Sequence, residues 1–267
     1  MPEKNYGVIL GKRPEDYIAG ATSPISFEER VPSGDWRPYL PPGERQSSRY
    51  ADSMACVSFS AHNCVEMQMK FYGQDVNLSD RFLAKQSGTT KMGNYLYMVG
   101  DTLRKQGGVP EEFWPAPKDF TWDQYYADIP LNVRNEGYKL LDAWDIKYEW
   151  LPDTNKETLK HHLKHSPLQV VIPGHAVTLI TSMDQVDTYF DHYEPYQKEY
   201  RSPFEVALKY VVTPRTKNMT KEEVRNLYRL AFYREPDEGE LTFWAGKALA
   251  DFLKAAIADR AAFLQKP

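Results

Sequence analysis

The chain has 267 residues, 33 basic against 37 acidic side chains, and a formal net charge of −4. Its length suits one domain of ordinary size with a small appendage, and a 42% hydrophobic content excludes disorder for most of it. The slight negative balance excludes a non-specific nucleic-acid binder, which needs an excess of Lys and Arg. The most apolar stretch, Leu168 to Ile180, is interrupted by Pro173, Gly174 and His175 and falls short of the ~20 residues of a membrane helix.

Residues 1–50 carry seven prolines, Pro2 to Pro42, and read as an irregular, extended arm. From Met54 to Tyr72 there is neither proline nor glycine, and Val57, Phe59, Ala61, Cys64, Val65, Met67 and Met69 surround most of a helical wheel. A helix apolar on most sides is a buried helix. A second helix is expected over 94–106, stopped by Gly107-Gly108. Thr154 and Glu157 read as a capping box for a third over 155–165. After Pro167 the texture becomes β: residues 168–172, 175–181, 187–190 and 208–213 are β-branched or aromatic runs between turn residues. Helices first and strands second favour a segregated α+β domain over an alternating βαβ fold. Pro214 to Asn218 reads as a linker. Thr220 and Glu223 form another capping box ahead of a small helical module.

A thiol nucleophile needs a position that stabilises its thiolate, an imidazole within reach and a group that orients the imidazole. Cys56 stands at the start of the expected buried helix, where backbone N–H groups and the helix dipole lower a thiol's pKa. His175 opens one expected strand and Asp191 closes the next, so an antiparallel pair brings Asp191 beside His175 to fix its tautomer. Asp187 competes for that role. Cys64 faces another part of the helix and reads as core. His161, His162 and His165 sit beside Lys160 and Lys164 and read as a solvated helix face. No metal and no cofactor are expected. His192 reads as a surface or rim residue.

The order and context of these residues resemble the papain-like cysteine peptidases at several points. Asp35-Trp36-Arg37 resembles the Asp-Trp-Arg that opens the family's catalytic domain. Ser53-Met-Ala-Cys56-Val-Ser-Phe-Ser60-Ala61 resembles the nucleophile segment, and Asn77-Leu-Ser-Asp-Arg-Phe-Leu83 the Leu-Ser-Glu-Gln-x-Leu that follows. Met92-Gly93-Asn94-Tyr95 is similar to the substrate-binding turn, and Gln106 to Pro115 to the family's Gly-Val…Tyr-Pro-Tyr stretch. Pro167 to Ile172, Gly174-His175 and Tyr189-Phe-Asp191 follow in the family's order. The resemblance covers residues 34–213. It implies a two-lobed fold, with a helical lobe carrying Cys56, a β lobe carrying His175, and a cleft with Gly93, Asn94 and Gly174 on its substrate side. It implies thiolate attack on a peptide carbonyl, with a peptide or protein as substrate.

Four departures stand out. The orienting residue is Asp191 where the family has Asn, and His192 follows it where the family has Ser-Trp-Gly. The oxyanion Gln of the family lies six residues before the nucleophile, a position held here by Tyr50. Gln46 is the nearest upstream Gln and is expected to loop into place. No cysteine precedes Cys56 to form the family's disulfide, which agrees with a cytoplasmic or virion-associated protein, and no leader of basic-then-apolar layout opens the chain. Residues 220–267 resemble a small helical module marked by Arg234-Glu-Pro-Asp and Trp244, seen beside phage and bacterial surface proteins, and are expected to make a protein assembly contact. The domain plan is therefore an arm at 1–33, a peptidase domain at 34–213, a linker at 214–219 and a module at 220–267. The main reading is a peptidase. Its alternatives are an inactive scaffold, as in a phage particle, and a thiol amidase or acyltransferase acting on peptidoglycan amides.

Overall fold

The computed structural model describes residues 6–12, 18, 28–215, 221–232 and 234–244. Chain contacts divide it into one unit over Met1–Thr213 and another over Pro214–Pro267.

The first unit is α+β. Its order is β1 (Val8–Ile9), α1 (Cys56–Phe71), α2 (Asp80–Gln86), β2 (Asn94–Tyr95), α3 (Leu96–Gln106), α4 (Trp122–Tyr125), α5 (Leu131–Ala143), β3 (Trp144–Trp150) and α6 (Lys156–Leu163). The strands β4 (Leu168–Ile172), β5 (His175–Ser182), β6 (Asp187–Phe190), β7 (Gln197–Tyr200) and β8 (Ala207–Pro214) follow. Six strands form one sheet in the order β3-β8-β4-β5-β6-β7. The registered pairs β4–β5, β4–β8, β5–β6 and β6–β7 are antiparallel.

Every residue of α1 from Cys56 to Met69 is buried, as the absence of a polar face requires. Most of its buried polar side chains have partners, since an unpaired buried polar group costs on the order of 1–3 kcal/mol; Ser58 Oγ and His62 Nε2 are the exceptions. Asn63 Nδ2 donates to Thr178 Oγ1 at 3.2 Å, and Gln68 Nε2 donates to the carbonyls of Cys64 and Tyr210 at 2.7 and 3.2 Å. Glu66 Oε1 accepts the Leu78 N–H at 2.6 Å. Two core clusters result. One joins α1 and α3 to β3 and β8, and the other packs α6 and Trp36 on the opposite sheet face, around Leu168, Val170 and Val177. Trp36 is fully buried and its Nε1 donates to the Leu163 carbonyl at 2.6 Å.

Several local expectations change. The helix expected from 94 begins at Leu96, because Asn94 and Tyr95 pair in parallel with Val8 and Ile9. The arm is thus not irregular throughout. The cap of α6 is Asn155, whose Oδ1 accepts the Thr158 N–H at 2.9 Å, and Thr154 instead donates to the Phe204 carbonyl at 2.8 Å. A one-residue shift of cap follows from that tertiary bond.

The second unit holds α7 (Lys221–Phe232) and α8 (Glu238–Trp244), packed through Val224, Tyr228 and Leu241. The expected cap at Thr220 and the apolar residues Leu249, Phe252 and Ile257 lie outside the described residues.

Candidate active site

Cys56 is the first residue of α1, and its cap residue Ala55 offers no side chain to the free first-turn N–H groups. The sheet holds this helix end in place. Gln169 Nε2 on β4 donates to the Val57 carbonyl and to Ser60 Oγ, both at 2.8 Å, and Thr178 Oγ1 on β5 donates to the Ser60 carbonyl at 3.1 Å. At the start of β5 the Ala176 N–H reaches Cys56 Sγ at 3.5 Å. The thiol therefore lies at the strand end that His175 opens.

The β5–β6 register, Thr178 opposite Phe190, puts the residue after Phe190 beside that same end. His175 Nε2 lies 2.7 Å from Asp191 Oδ1, and both residues are about 4% exposed. Oδ1 also accepts the His192 N–H at 2.7 Å, and Oδ2 accepts Lys198 Nζ at 2.6 Å. Burial works against the Asp191 charge, but His175 first and Lys198 second hold its carboxyl below the ordinary range. Asp187, the competitor, sits at the far end of β6 opposite Ser182 and pairs with Lys156 Nζ at 2.6 Å. The other ring nitrogen of His175, Nδ1, is buried and makes no hydrogen bond.

The thiol departs from expectation. Burial pushes Cys56 up to about 12, and the Asp52 and Asp191 carboxylates push in the same direction. The N–H groups of Ala176 and Val57 pull it down but do not prevail. In this arrangement the group is a neutral thiol, because desolvation outweighs the help of the helix start.

Gln46 reaches the site through a closed loop. Its N–H binds the His192 carbonyl at 3.3 Å, its carbonyl accepts the Ser53 N–H at 3.2 Å, and Ser47 bridges Asp52. The four intervening positions are looped out, with Tyr50 62% exposed. The Gln46 amide Nε2 donates to Asp52 Oδ1 and to the Tyr6 carbonyl, both at 3.1 Å.

That last contact belongs to the N-terminal arm, which lies across the site. The Tyr6 N–H donates to the Gly174 carbonyl at 2.8 Å, and its ring packs on His175 with centroids 4.7 Å apart. Tyr193 closes the other side, 5.6 Å from His175 and 5.2 Å from Tyr6, with its hydroxyl on Asp52 Oδ2. The Gly7 carbonyl accepts the Asn94 N–H at 2.9 Å. A Cβ on Gly93 would stand 2.0 Å from that carbonyl oxygen, and one on Gly7, at φ +110°, would stand 2.1 Å from the Met54 oxygen. Only paired glycines allow so close a passage. Of the expected substrate-side residues, then, Gly93, Asn94 and Gly174 all meet the arm through backbone atoms. The Asn94 side chain is turned inward to Ser87 and Thr89.

Solved structures with similar backbones include cysteine proteases. Digestive procathepsin L 3 of the Tenebrio molitor larval midgut superposes with a TM-score of 0.54 at 15% identity, over 78% of this chain and 76% of that one. Xylellain, from Xylella fastidiosa, gives 0.56 at 14% identity over 78% and 96%. The proform of the ragweed pollen protease Amb a 11 gives 0.50 at 16% identity over 72% and 67%. The fold is papain-like. No protein-family model and no curated protein matches the chain.

Around this papain-like core several side chains sit differently from expectation. His192 is buried, not at the rim, with its ring bonded to Asn63 at 2.8 Å and to the Glu44 carbonyl at 3.0 Å. Burial first, with His175 adding to it, holds it down at about 4. His162 and His165 are likewise buried and only His161 faces solvent. Among the described residues no group of His, Cys, Asp and Glu is arranged to hold a metal. Cys64 lies in the core, its thiol raised by burial. Both cysteines are free. Beside His192 a cavity of about 740 Å³ is lined in part by Glu44, Asp80 and Glu111. Burial raises all three, as it does Glu66, which is pushed up to about 8. Among the described residues no helix is long and apolar enough to cross a membrane.

Tyr6, Tyr193 and Lys198 are site residues that the sequence does not announce. Tyr6 comes from the distant arm, and Tyr193 and Lys198 come through the β6–β7 turn and pairing, so no motif marks them.

Proposed function

We propose that the protein is a papain-like cysteine peptidase, with Cys56 as nucleophile, His175 as base and acid, Asp191 as orienter and Gln46 as oxyanion donor. The observation that carries this reading is the His175–Asp191 bond of 2.7 Å, which leaves Nδ1 without a partner at the strand end where the Cys56 thiol is held. The backbone similarity to xylellain and to a digestive procathepsin L supports it. So does the Tyr6 carbonyl on Gln46 Nε2, an internal stand-in for a substrate carbonyl.

With a substrate carbonyl in that position, the Cys56 thiol passes its proton to His175 Nδ1 as Sγ bonds the carbonyl carbon. Charge then moves to the carbonyl oxygen, where the Gln46 amide donates to it. Collapse breaks the C–N bond, and the imidazolium gives its proton to the leaving amine. Water attacks the thioester, His175 takes its proton, and the acid leaves as the thiol re-forms. Catalytic hydrogen bonds are commonly long before substrate binds, so the absence of a thiol–imidazole bond here is no obstacle. The proposal includes an attachment role for residues 220–267, supported by the division of the chain after Thr213.

The buried, neutral thiol favours a second reading, an inactive scaffold. An epoxysuccinyl probe followed by peptide mapping separates the two. Labelling of Cys56 and not Cys64, lost in His175→Ala, together with hydrolysis of a fluorogenic peptide, supports the peptidase. Equal and slow labelling of both cysteines with no hydrolysis supports the scaffold, and hydrolysis confined to peptidoglycan amides redirects the reading to an amidase.

A further inference from the structure

We propose that Lys198 is a positioning residue of the catalytic group, holding Asp191 as a charge-compensated carboxylate so that it orients His175 without flooding the Cys56–His175 pair with negative charge. This rests on the peptidase reading above. In the resembled family the orienting group is a neutral Asn. An Asp in its place supplies a stronger acceptor but adds a full charge beside a thiol that must ionise. That cost is visible in the direction Asp191 pushes Cys56, which is upward.

Lys198 answers that charge directly. It lies on β7 opposite Tyr189 of β6, and the Asp191 N–H bonds the Tyr196 carbonyl at 2.8 Å, so the hairpin carries the Lys198 side chain back to Asp191. Its Nζ takes Oδ2 at 2.6 Å while His175 takes Oδ1 at 2.7 Å. The two partners use different oxygens, so the ammonium neutralises the carboxylate without displacing the imidazole. The Lys198 side chain is a quarter exposed, against 4% for Asp191. It can therefore keep part of its hydration while discharging a buried group, the cheapest arrangement for a partly buried pair.

The other groups facing this cluster do not do the same work. From the arm comes the Tyr6 ring, and from the β6–β7 turn the Tyr193 ring and the neutral His192. From β6 comes Tyr189, pushed up to about 12 and so un-ionised. From the loop before α1 comes Asp52, which adds negative charge. Among these groups Lys198 supplies the positive charge.

The signs follow from Coulomb's law. Without Lys198 the extra negative charge makes the imidazolium harder to deprotonate and the thiol harder to ionise, so both limbs of the pH–rate bell move to higher pH. A unit charge roughly 7 Å away, at an effective dielectric of about 20–40, shifts a titration by on the order of one pH unit.

The test follows His175 by NMR titration in the full chain, beside the pH dependence of Cys56 alkylation, in Lys198→Gln, Lys198→Met and Lys198→Arg. The Met variant keeps the aliphatic stem and is read in parallel in case Gln disturbs the hairpin. Gln and Met are expected to move the His175 titration up by about one unit, and Arg to leave it near wild type. In an Asp191→Asn background, where the ammonium loses its anchor and swings into solvent, the effect of Lys198→Gln should fall below half. An unmoved titration in both folded uncharged variants overturns the proposal, as does an equal shift in the Asn background, which would mean that Lys198 does not act through Asp191. If the titration moves as expected while Cys56 reacts with no probe at any pH, the Lys198 assignment stands and the peptidase reading falls.

Discussion

Releasing the N-terminal arm should unmask Cys56. Three hydrogen bonds hold Tyr6 and Gly7 over the site, to the Gly174 carbonyl, from Gln46 Nε2 and from the Asn94 N–H. At about 1 kcal/mol each, net of water, they contribute about 3 kcal/mol. The Tyr6–His175 ring contact adds about 1 kcal/mol, and burial of Val8, which lies in the same cluster as Cys56, about 2 kcal/mol. Ordering four residues of backbone costs about 4 kcal/mol. The balance of about 2 kcal/mol keeps the arm seated in all but roughly 3% of molecules, since 1.4 kcal/mol is a factor of ten. Deleting residues 1–9 should therefore raise the rate of Cys56 alkylation by iodoacetamide about 30-fold at neutral pH. It should also move the pH profile of alkylation downward, because removing the cover returns solvent to a thiol that burial holds at about 12. Gly7→Ala gives the same result without shortening the chain, since its Cβ would meet the Met54 oxygen at 2.1 Å. Rates equal to wild type in both variants, with circular dichroism unchanged, would refute the reasoning.

In the arm-deleted protein, Gln46→Ala should lower kcat for a peptide about 100-fold with little change in KM, because the amide acts on charge that develops only in the transition state. The alkylation rate of Cys56 should hold, since that reaction builds no oxyanion; a parallel loss of both would mean that Gln46 merely props up the loop. Glu66→Gln should stabilise the fold at alkaline pH and not at pH 4. Burial raises Glu66 to about 8, so its contribution is present below the ordinary carboxyl range and is lost as pH rises through the folded value. The glutamine keeps an acceptor for the Leu78 N–H and removes that loss, a gain on the order of 2–4 kcal/mol near pH 9. Denaturant midpoints at the two pH values measure it, and an equal change at both refutes it.

The strands 168–172 and 187–190 and the start of β5 at His175 were legible to the residue, because buried sheet strands have to be apolar and turn residues bracket them. The buried helix α1 was legible for the same reason. Others were harder. β3 carries Asp145, Lys147 and Glu149 between Trp144, Ile146, Tyr148 and Trp150, an alternation that a period-2 count would have found. Helix α5 buries only Val133 and Gly137, too thin a stripe to stand out. β7, Gln-Lys-Glu-Tyr, is a polar edge strand that hydropathy does not reveal, and nothing in its sequence marks Lys198.

Sequence alone determined the order of the chemistry: a cysteine opening a buried helix, a histidine opening a strand, an aspartate closing the next. These are local facts of period and punctuation, and the antiparallel hairpin turns them into one site. Tertiary structure alone decided the state of that site. Whether the thiol is ionised depends on its burial, on the Asp52 and Asp191 carboxylates, and on the Ala176 N–H 120 residues downstream. The loop that delivers Gln46, the parallel pairing that seats Gly7 against Gly93, and the ammonium that offsets Asp191 all join residues with no sequence signature in common. Burial and Coulomb energies are set by neighbours in space, and those neighbours exist only once the chain has folded.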